Sequence, residues 1–369
     1  MKIGVLTSSR ADYGIYLPLL NKLKFDQRFQ LEIIAFGMHL QNGQGNTIAQ
    51  IIKDGFEVIY KIGEMPESDN LVDVSTGYGN MVVSFADFWS QNKFDIVFAL
   101  GDRWEMSAAV QASIPFEVKL AHIHGGETTL GATDNIYRHQ ITLASTFHFT
   151  AAEVFSERVI SILGSDKNVH TVGSISLENI DQLQLPSWDS VKEKFDIPFD
   201  DFILVTFHPE SVGASMNKHY ASVISDVLKK LIQEHNILIT KANSDVMGSL
   251  FNHCFQQLQE EYPRKIKLVS ALGKLNYFKA MEKCDFMFGN TSSGIIEAAS
   301  FGKYVVNIGA RQKGRLKNEN VIDAPFHIVE ILAAIKSVNE RNHYKGLNKY
   351  LRLATSDTII KIITQDEGL

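Results

Sequence analysis

The stretch DFMFGNTSSGIIEAASFGKYVVNIGARQKGR (285–315) decides how the rest of the chain reads. Two short apolar runs, DFMFGN and YVVNIG, flank a turn of small residues, Thr291-Ser292-Ser293-Gly294, from which a helix begins. Strand, tight turn, helix and strand in that order describe a parallel β-α-β unit. Ligands in such units sit beyond the carboxyl ends of the strands. Upstream, FILVTFHP (202–209), ILITKAN (237–243) and IKLVSA (266–271) repeat the pattern. Further upstream the same alternation runs through KIGVLTSS (2–9), FQLEIIAFG (29–37), EVIYKIG (57–63), DIVFALGD (95–102), VKLAHIHGG (118–126), FHFTA (147–151) and VHTVGS (169–174). A helix is predicted over roughly 12–25. Strands apolar on both alternations are buried on both faces, which predicts an α/β fold with helix-covered parallel sheets.

Length agrees with two such halves. The chain has 369 residues, and domains average roughly 150. The polar, proline-containing segment QLQLPSWDS (182–190) separates them, so domains are expected over 1–173 and 174–351. The tail from about 344 reads as a terminal helix. A hydrophobic content of 45% with 21% charged residues is ordinary globular make-up and excludes a disordered chain. The net charge of −6 advertises neither nucleic acid nor an anionic membrane. The two cysteines, Cys254 and Cys284, form no C-x-x-C motif and fit a reducing compartment. No apolar run approaches the ~18 residues that span a bilayer. A cytoplasmic protein with no nucleic-acid or membrane partner is expected.

The chemistry-bearing residues gather at strand ends. The small turn 291–294 offers amides, hydroxyls and a positive helix end to an anion; Ser292 as a plain helix cap is the competing reading. Arg311 and Arg315 follow the next strand and suit bidentate phosphate contacts. Glu297 is either a first-turn charge favoured by the helix dipole or a receptor for ribose hydroxyls. His208 ends the strand FILVTFHP and is followed by Pro209 and Glu210. Asn243 and Asp245 are turn formers or nucleotide contacts. In the first half, Arg10 and Asp12 fall in the loop after the first strand, and His39 follows the second. Asp102 and Arg103 end the run at 95–102. HIHGGETTLGATDNIYRH (122–139) adds His124, Glu127, Asp134, Arg138 and His139. Asp134 and Arg138 share a helix face at i, i+4, which as an ordinary surface ion pair carries only a few tenths of a kcal/mol. Against that reading, acidic groups beside an anion site are what proton abstraction and return at a sugar carbon require.

These motifs, SSRADYG (8–14), GMHLQNGQGNT (37–47), LGDRWE (100–105), HIHGGET (122–128), D-x-x-x-RH (134–139), FHPE (207–210), GNTSSGIIE (289–297) and NIGARQKGR (307–315), run in order over most of the chain. In that order the sequence resembles the hydrolysing UDP-N-acetylglucosamine 2-epimerases of the bacterial sialic acid pathway. Non-hydrolysing 2-epimerases typically carry G-x-R-P-E and H-V-E-A-G where this chain has Arg10-Ala11-Asp12 and His124-Gly125-Gly126. The resemblance implies a GT-B fold, two Rossmann-like domains with parallel sheets facing across a cleft, the C-terminal helix 352–369 completing the first. It implies a UDP-sugar substrate, no cofactor, no metal and a homo-oligomer, dimer or tetramer. UDP would be held by His208, Thr291, Ser292, Ser293, Gly294 and Arg311, with Glu297 on ribose, the backbone at Leu272 on uracil, Asn243 nearby and Arg10 on the pyrophosphate. The sugar would meet Asp12, His39, Arg103 and Arg138, with Asp102, Glu127, Asp134 and His124 as catalytic groups and His208 assisting at the phosphate. The implied reaction eliminates UDP to a 2-acetamidoglucal and hydrates it to N-acetylmannosamine. The same route on UDP-2,4-diacetamido-2,4,6-trideoxyglucose is the finer alternative. A GT-B glycosyltransferase would share the UDP site, but the acidic cluster and the lack of an acceptor-binding extension weigh against it. Animal-type relatives have a catalytic glutamate in H-I-E-G-G where this chain has His124, and members nearer to it read H-I-H-G-G-E. Whether His124 or Glu127 takes over that role stays open at this point.

Overall fold

The computed structural model describes residues 1–366 apart from 42–46, 67, 69, 131–132, 211–213 and 243–246. The described chain forms two compact units. The first comprises Met1–Glu127, Asp134–Asn179 and Tyr350–Leu369; the second comprises Thr128–Thr133 and Ile180–Lys349.

In the first unit, β1 (Lys2–Thr7), β2 (Gln30–Gly37), β3 (Val58–Glu64), β4 (Ile96–Leu100), β5 (Leu120–Ile123), β6 (Phe147–Thr150) and β7 (Val169–Thr171) form one sheet. Their order is β3-β2-β1-β4-β5-β6-β7, and every pairing is parallel. Successive side chains feed opposite faces, as pleating demands. Ile3, Val5, Ile33, Ile96 and Phe98 pack into one core, while Leu6, Ile34, Phe36, Val97 and Ala99 pack into the other.

The second unit repeats the plan with β8 (Ile203–Thr206), β9 (Ile237–Thr240), β10 (Ile266–Val269), β11 (Met287–Gly289), β12 (Val305–Ile308) and β13 (Val321–Ala324). The order is β10-β9-β8-β11-β12-β13, again all parallel. Val205, Ile239 and Phe288 line one core, and Leu204, Leu238 and Met287 the other. The expected strands are all present; β13 is an addition, since its exposed Asp323 interrupts the apolar pattern.

In each sheet the strand order reverses at one point, between β1 and β4 and between β8 and β11. Chains leaving the two central strands there diverge, opening a crevice at their carboxyl ends. Asp102 follows β4, His208 follows β8 and the small turn follows β11.

Several expected boundaries move. Arg10 and Asp12 lie inside the helix Arg10–Phe25, because Ser9 caps it and Asp12 occupies its first turn. The break, expected near Gly173–Asn179 and set at 173/174, falls at the far end of that range, after Asn179. Ser174 N–H donates to Tyr350 O (2.9 Å), and buried Ile175 joins the first unit's core. Glu178 accepts from Ser356 N–H (2.9 Å) and pairs with Lys22 (2.8 Å). Those contacts bind the tail to the first unit, where its helix begins later than expected, at Thr355, and is described to Asp366. Among the described residues no helix is long and apolar enough to cross a bilayer.

Candidate active site

In the first unit, Arg138 is the organising group. It stands within the helix Asp134–Ala144 and is only 2% exposed, so it is no surface cation. A buried guanidinium needs acceptors for its fork of donors. Nη2 donates to Asp102 Oδ2, and Nη1 donates to the backbone oxygen of His124 (2.5 Å). One cation thereby ties the ends of β4 and β5 together.

The H-I-H-G-G run explains itself locally. His122 is fully buried on β5; its Nε2 lies 2.9 Å from Gly101 O and its Nδ1 3.1 Å from Thr142 Oγ1. Burial pushes this imidazole down to about 3, so it is a neutral brace under the loop that carries Asp102. His124 has the left-handed φ of 64°, a costly conformation for a residue with a Cβ. Gly126 is required: a Cβ there would sit 2.3 Å from Phe155 O. Glu127, buried like His124, places Oε1 2.5 Å from His124 Nδ1. His124 and Glu127 are thus hydrogen-bonded to each other. His124 Nε2 lies 3.3 Å from Ser174 Oγ. Asp134 opens the helix that carries Arg138.

Other expected contacts are committed to the protein. Both Asp12 oxygens are taken: Oδ2 by Ser8 N–H (2.9 Å) and Ser8 Oγ–H (2.7 Å), Oδ1 by Ser9 Oγ–H (2.7 Å). Asp12 holds the strand-to-helix turn, a variant of the capping box. His39 is wedged between Thr7 Oγ1 and Thr47 Oγ1, each 2.9 Å from a ring nitrogen. Burial pushes it down to about 4 against the opposing pull of Asp12. Arg103 donates through Nε to the buried Glu105 and lies 3.3 Å from Met38 Sδ. Arg10 begins the first helix.

In the second unit the strand end is built of backbone. Gly289, at φ 154°, passes so close to β8 that a Cβ would meet Thr206 O at 1.9 Å. Thr291, not Ser292, caps the short helix Ser292–Ile296, its Oγ1 accepting from Ser293 N–H (3.4 Å). Glu297 closes that helix and is buried, so it is not a first-turn charge. Fully buried Asn290 clamps His208 on both sides, accepting its N–H (2.7 Å) and donating to its C=O (2.8 Å). Gln312 in turn donates to Asn290 O (2.8 Å). Buried Glu210 accepts from Ala310 N–H (2.5 Å) and Arg311 N–H (3.1 Å), fixing the turn that carries Arg311. Leu272 follows edge strand β10, and its carbonyl accepts from Asn276 (2.7 Å). Asn243, like Asp245, lies outside the described residues.

Sequence reasoning assigned no role to Asn290, Glu210, His122 or Ser174. The first two stand inside the GNTSSG and FHPE motifs; Ser174 reaches His124 only through the fold.

The family model described as UDP-N-acetylglucosamine 2-epimerase matches residues 21–364. Polysialic acid biosynthesis protein P7 of Escherichia coli is 31% identical over 338 residues, 92% of this chain and 85% of that one. The UDP-N,N'-diacetylbacillosamine 2-epimerase (hydrolyzing) of Legionella pneumophila is 31% identical over 98% of this chain and 95% of its own. Among solved structures, UDP-GlcNAc 2-epimerase from Neisseria meningitidis bound to UDP-GlcNAc superposes with a TM-score of 0.82 at 15% identity. That superposition covers 99% of this chain and 100% of the other, and it shows a shared fold.

Proposed function

This chain belongs to the UDP-N-acetylglucosamine 2-epimerase family, and from that premise we propose that it is a hydrolysing 2-epimerase converting UDP-N-acetylglucosamine and water to N-acetylmannosamine and UDP. The observation that carries the reading is the cluster at the first sheet's reversal point, where Arg138 joins Asp102 to the end of β5 and His124 meets Glu127.

The C2 proton of the sugar is weakly acidic, so its removal must run with departure of UDP from C1. The electron pair of the C2–H bond becomes the C1–C2 double bond, and the C1–O pair leaves with the diphosphate. Water then adds at C1 while a proton returns to C2 from the opposite face. Asp102, Asp134 and the hydrogen-bonded pair of His124 and Glu127 supply the proton transfers. In the second unit, His208, the turn Thr291–Gly294 and Arg311 stabilise the departing charge, with Glu297 on the ribose and the Leu272 backbone on uracil. Asp12 and His39 hold the loops that frame the sugar.

A second substrate is favoured by one observation: a relative named for the diacetylbacillosamine reaction aligns over 98% of this chain. Turnover of the two UDP-sugars side by side decides between them. The reaction itself is tested by running it in deuterated, oxygen-18-labelled water. Solvent deuterium is expected at C2 and labelled oxygen at C1 of the released sugar. Protium retained at C2 of the product would overturn the proposal.

A further inference from the structure

Resting on that reading, we propose that His124 and Glu127 act as one carboxylate–imidazole dyad, in which His124 Nε2 takes the C2 proton and Glu127 is a positioning residue behind it.

The ring is held from every side. The strained φ of 64° at His124 persists because its N–H donates to Phe149 O (3.0 Å) and its C=O accepts from Arg138 (2.5 Å). Gly125 next to it packs on the His122 ring, 3.0 Å from where its Cβ would stand. With the backbone pinned, Nδ1 points at Glu127 Oε1 at 2.5 Å. A carboxylate at that distance selects the tautomer with hydrogen on Nδ1 and leaves the lone pair on Nε2. The side chain of His124 is 8% exposed and that of Glu127 1%, so the imidazole is the more reachable member. Carboxylate, imidazole and hydroxyl in sequence repeat the logic by which a buried acid orients a histidine base.

The charged surroundings suit this role. Arg138 from the helix Asp134–Ala144 sits on the His124 carbonyl and shares its charge with Asp102. Arg158, from the helix Glu153–Leu163, donates to Gly126 O and acts electrostatically on Glu127. From β5, His122 is neutral under the loop. Ser174 and Ser176, after β7, bring only hydroxyls. In the step, the Nε2 lone pair takes the proton while the C2–H pair becomes the double bond and the C1–O pair departs with UDP. Glu127 remains ionised beside the imidazolium, which returns its proton to solvent before the next turnover.

The test reads kcat, KM, pH profile and C2 deuterium incorporation for His124→Gln, Glu127→Gln, His124→Glu and the double variant His124→Glu/Glu127→Gln. His124→Gln is expected to lose about 10²-fold in kcat, with C2 exchange falling in step. Glu127→Gln should lower kcat about tenfold at nearly constant KM. It should also move the acid limb of kcat/KM to lower pH, because the ring loses its carboxylate partner. In the His124→Glu background, which keeps a proton acceptor, Glu127→Gln should cost much less. An acid limb unmoved in Glu127→Gln, or equal losses in both backgrounds, would reduce Glu127 to a packing residue and overturn the dyad. Wild-type C2 exchange in His124→Gln would also overturn it while leaving the 2-epimerase reading intact. Failure of that reading is distinct: no deuterium at C2 even in the wild-type product.

Discussion

The two units place their functional residues at the same topological position but build the strand ends from different materials. At the reversal point of the first sheet the groups are charges buried together: Arg138 with Asp102, and Glu127 with His124. At the reversal point of the second they are backbone amides and small side chains, with Asn290 and Glu210 spending their polar atoms on neighbouring main chain. The difference teaches what each end can do. Paired charges still lose hydration on burial, but each keeps a counter-charge, so protons can pass without leaving an uncompensated ion. A rigid set of neutral donors and hydroxyls, with Arg311 beside it, is suited to receive charge that the ligand itself brings.

Acidification is the largest way to separate the two. Histidines depressed by burial, among them His39 and His148 at about 4 and His122 at about 3, stand in the first unit. Their folded forms stay neutral where the unfolded chain, near 6.5, binds protons. Their stabilising contribution is therefore present above about 6.5 and is withdrawn as pH falls toward 4, each histidine removing up to about 1.4 kcal/mol per pH unit. Hydrogen exchange followed by mass spectrometry from pH 7 to 4.5 should show protection lost first in the first unit. Simultaneous loss in both would contradict the asymmetry.

Next in size is a functional separation. Asp102→Asn should lose at least about 10²-fold in turnover, about 2.7 kcal/mol, while UDP affinity in calorimetry stays near wild type. His208→Ala should instead weaken UDP by about tenfold and depress turnover with it. A UDP affinity that falls in Asp102→Asn and holds in His208→Ala would invert the assignment.

The smallest effect concerns the cap. Thr291→Ala removes a long 3.4 Å contact to Ser293 N–H and should cost about 1 kcal/mol or less in chemical denaturation. The equivalent cap substitution in the first unit, Ser9→Ala, should cost more, because Ser9 also donates to Asp12 (2.7 Å). Equal losses would show that the capping network around Asp12 adds nothing.

Local patterns carried the fold far. Short apolar runs marked the expected strands, and their two-sided apolarity required parallel sheets, because burial of both faces acts residue by residue. The motifs likewise singled out the side chains proposed to bear chemistry, since strand ends and small-residue turns are local features. Three things needed the tertiary structure. Arg138 turned from a helix-face neighbour of Asp134 to a buried cation joining β4 and β5, an outcome set by a partner 36 positions away. Asp12 and His39 proved to be consumed by serine and threonine hydroxyls, which spacing does not reveal. His124 and Glu127 became one hydrogen-bonded unit because a left-handed residue and a glycine fold the chain back on itself. Propensity and periodicity are properties of neighbours along the chain, whereas the pairing of buried charges is decided by whichever groups the packed sheet leaves within reach.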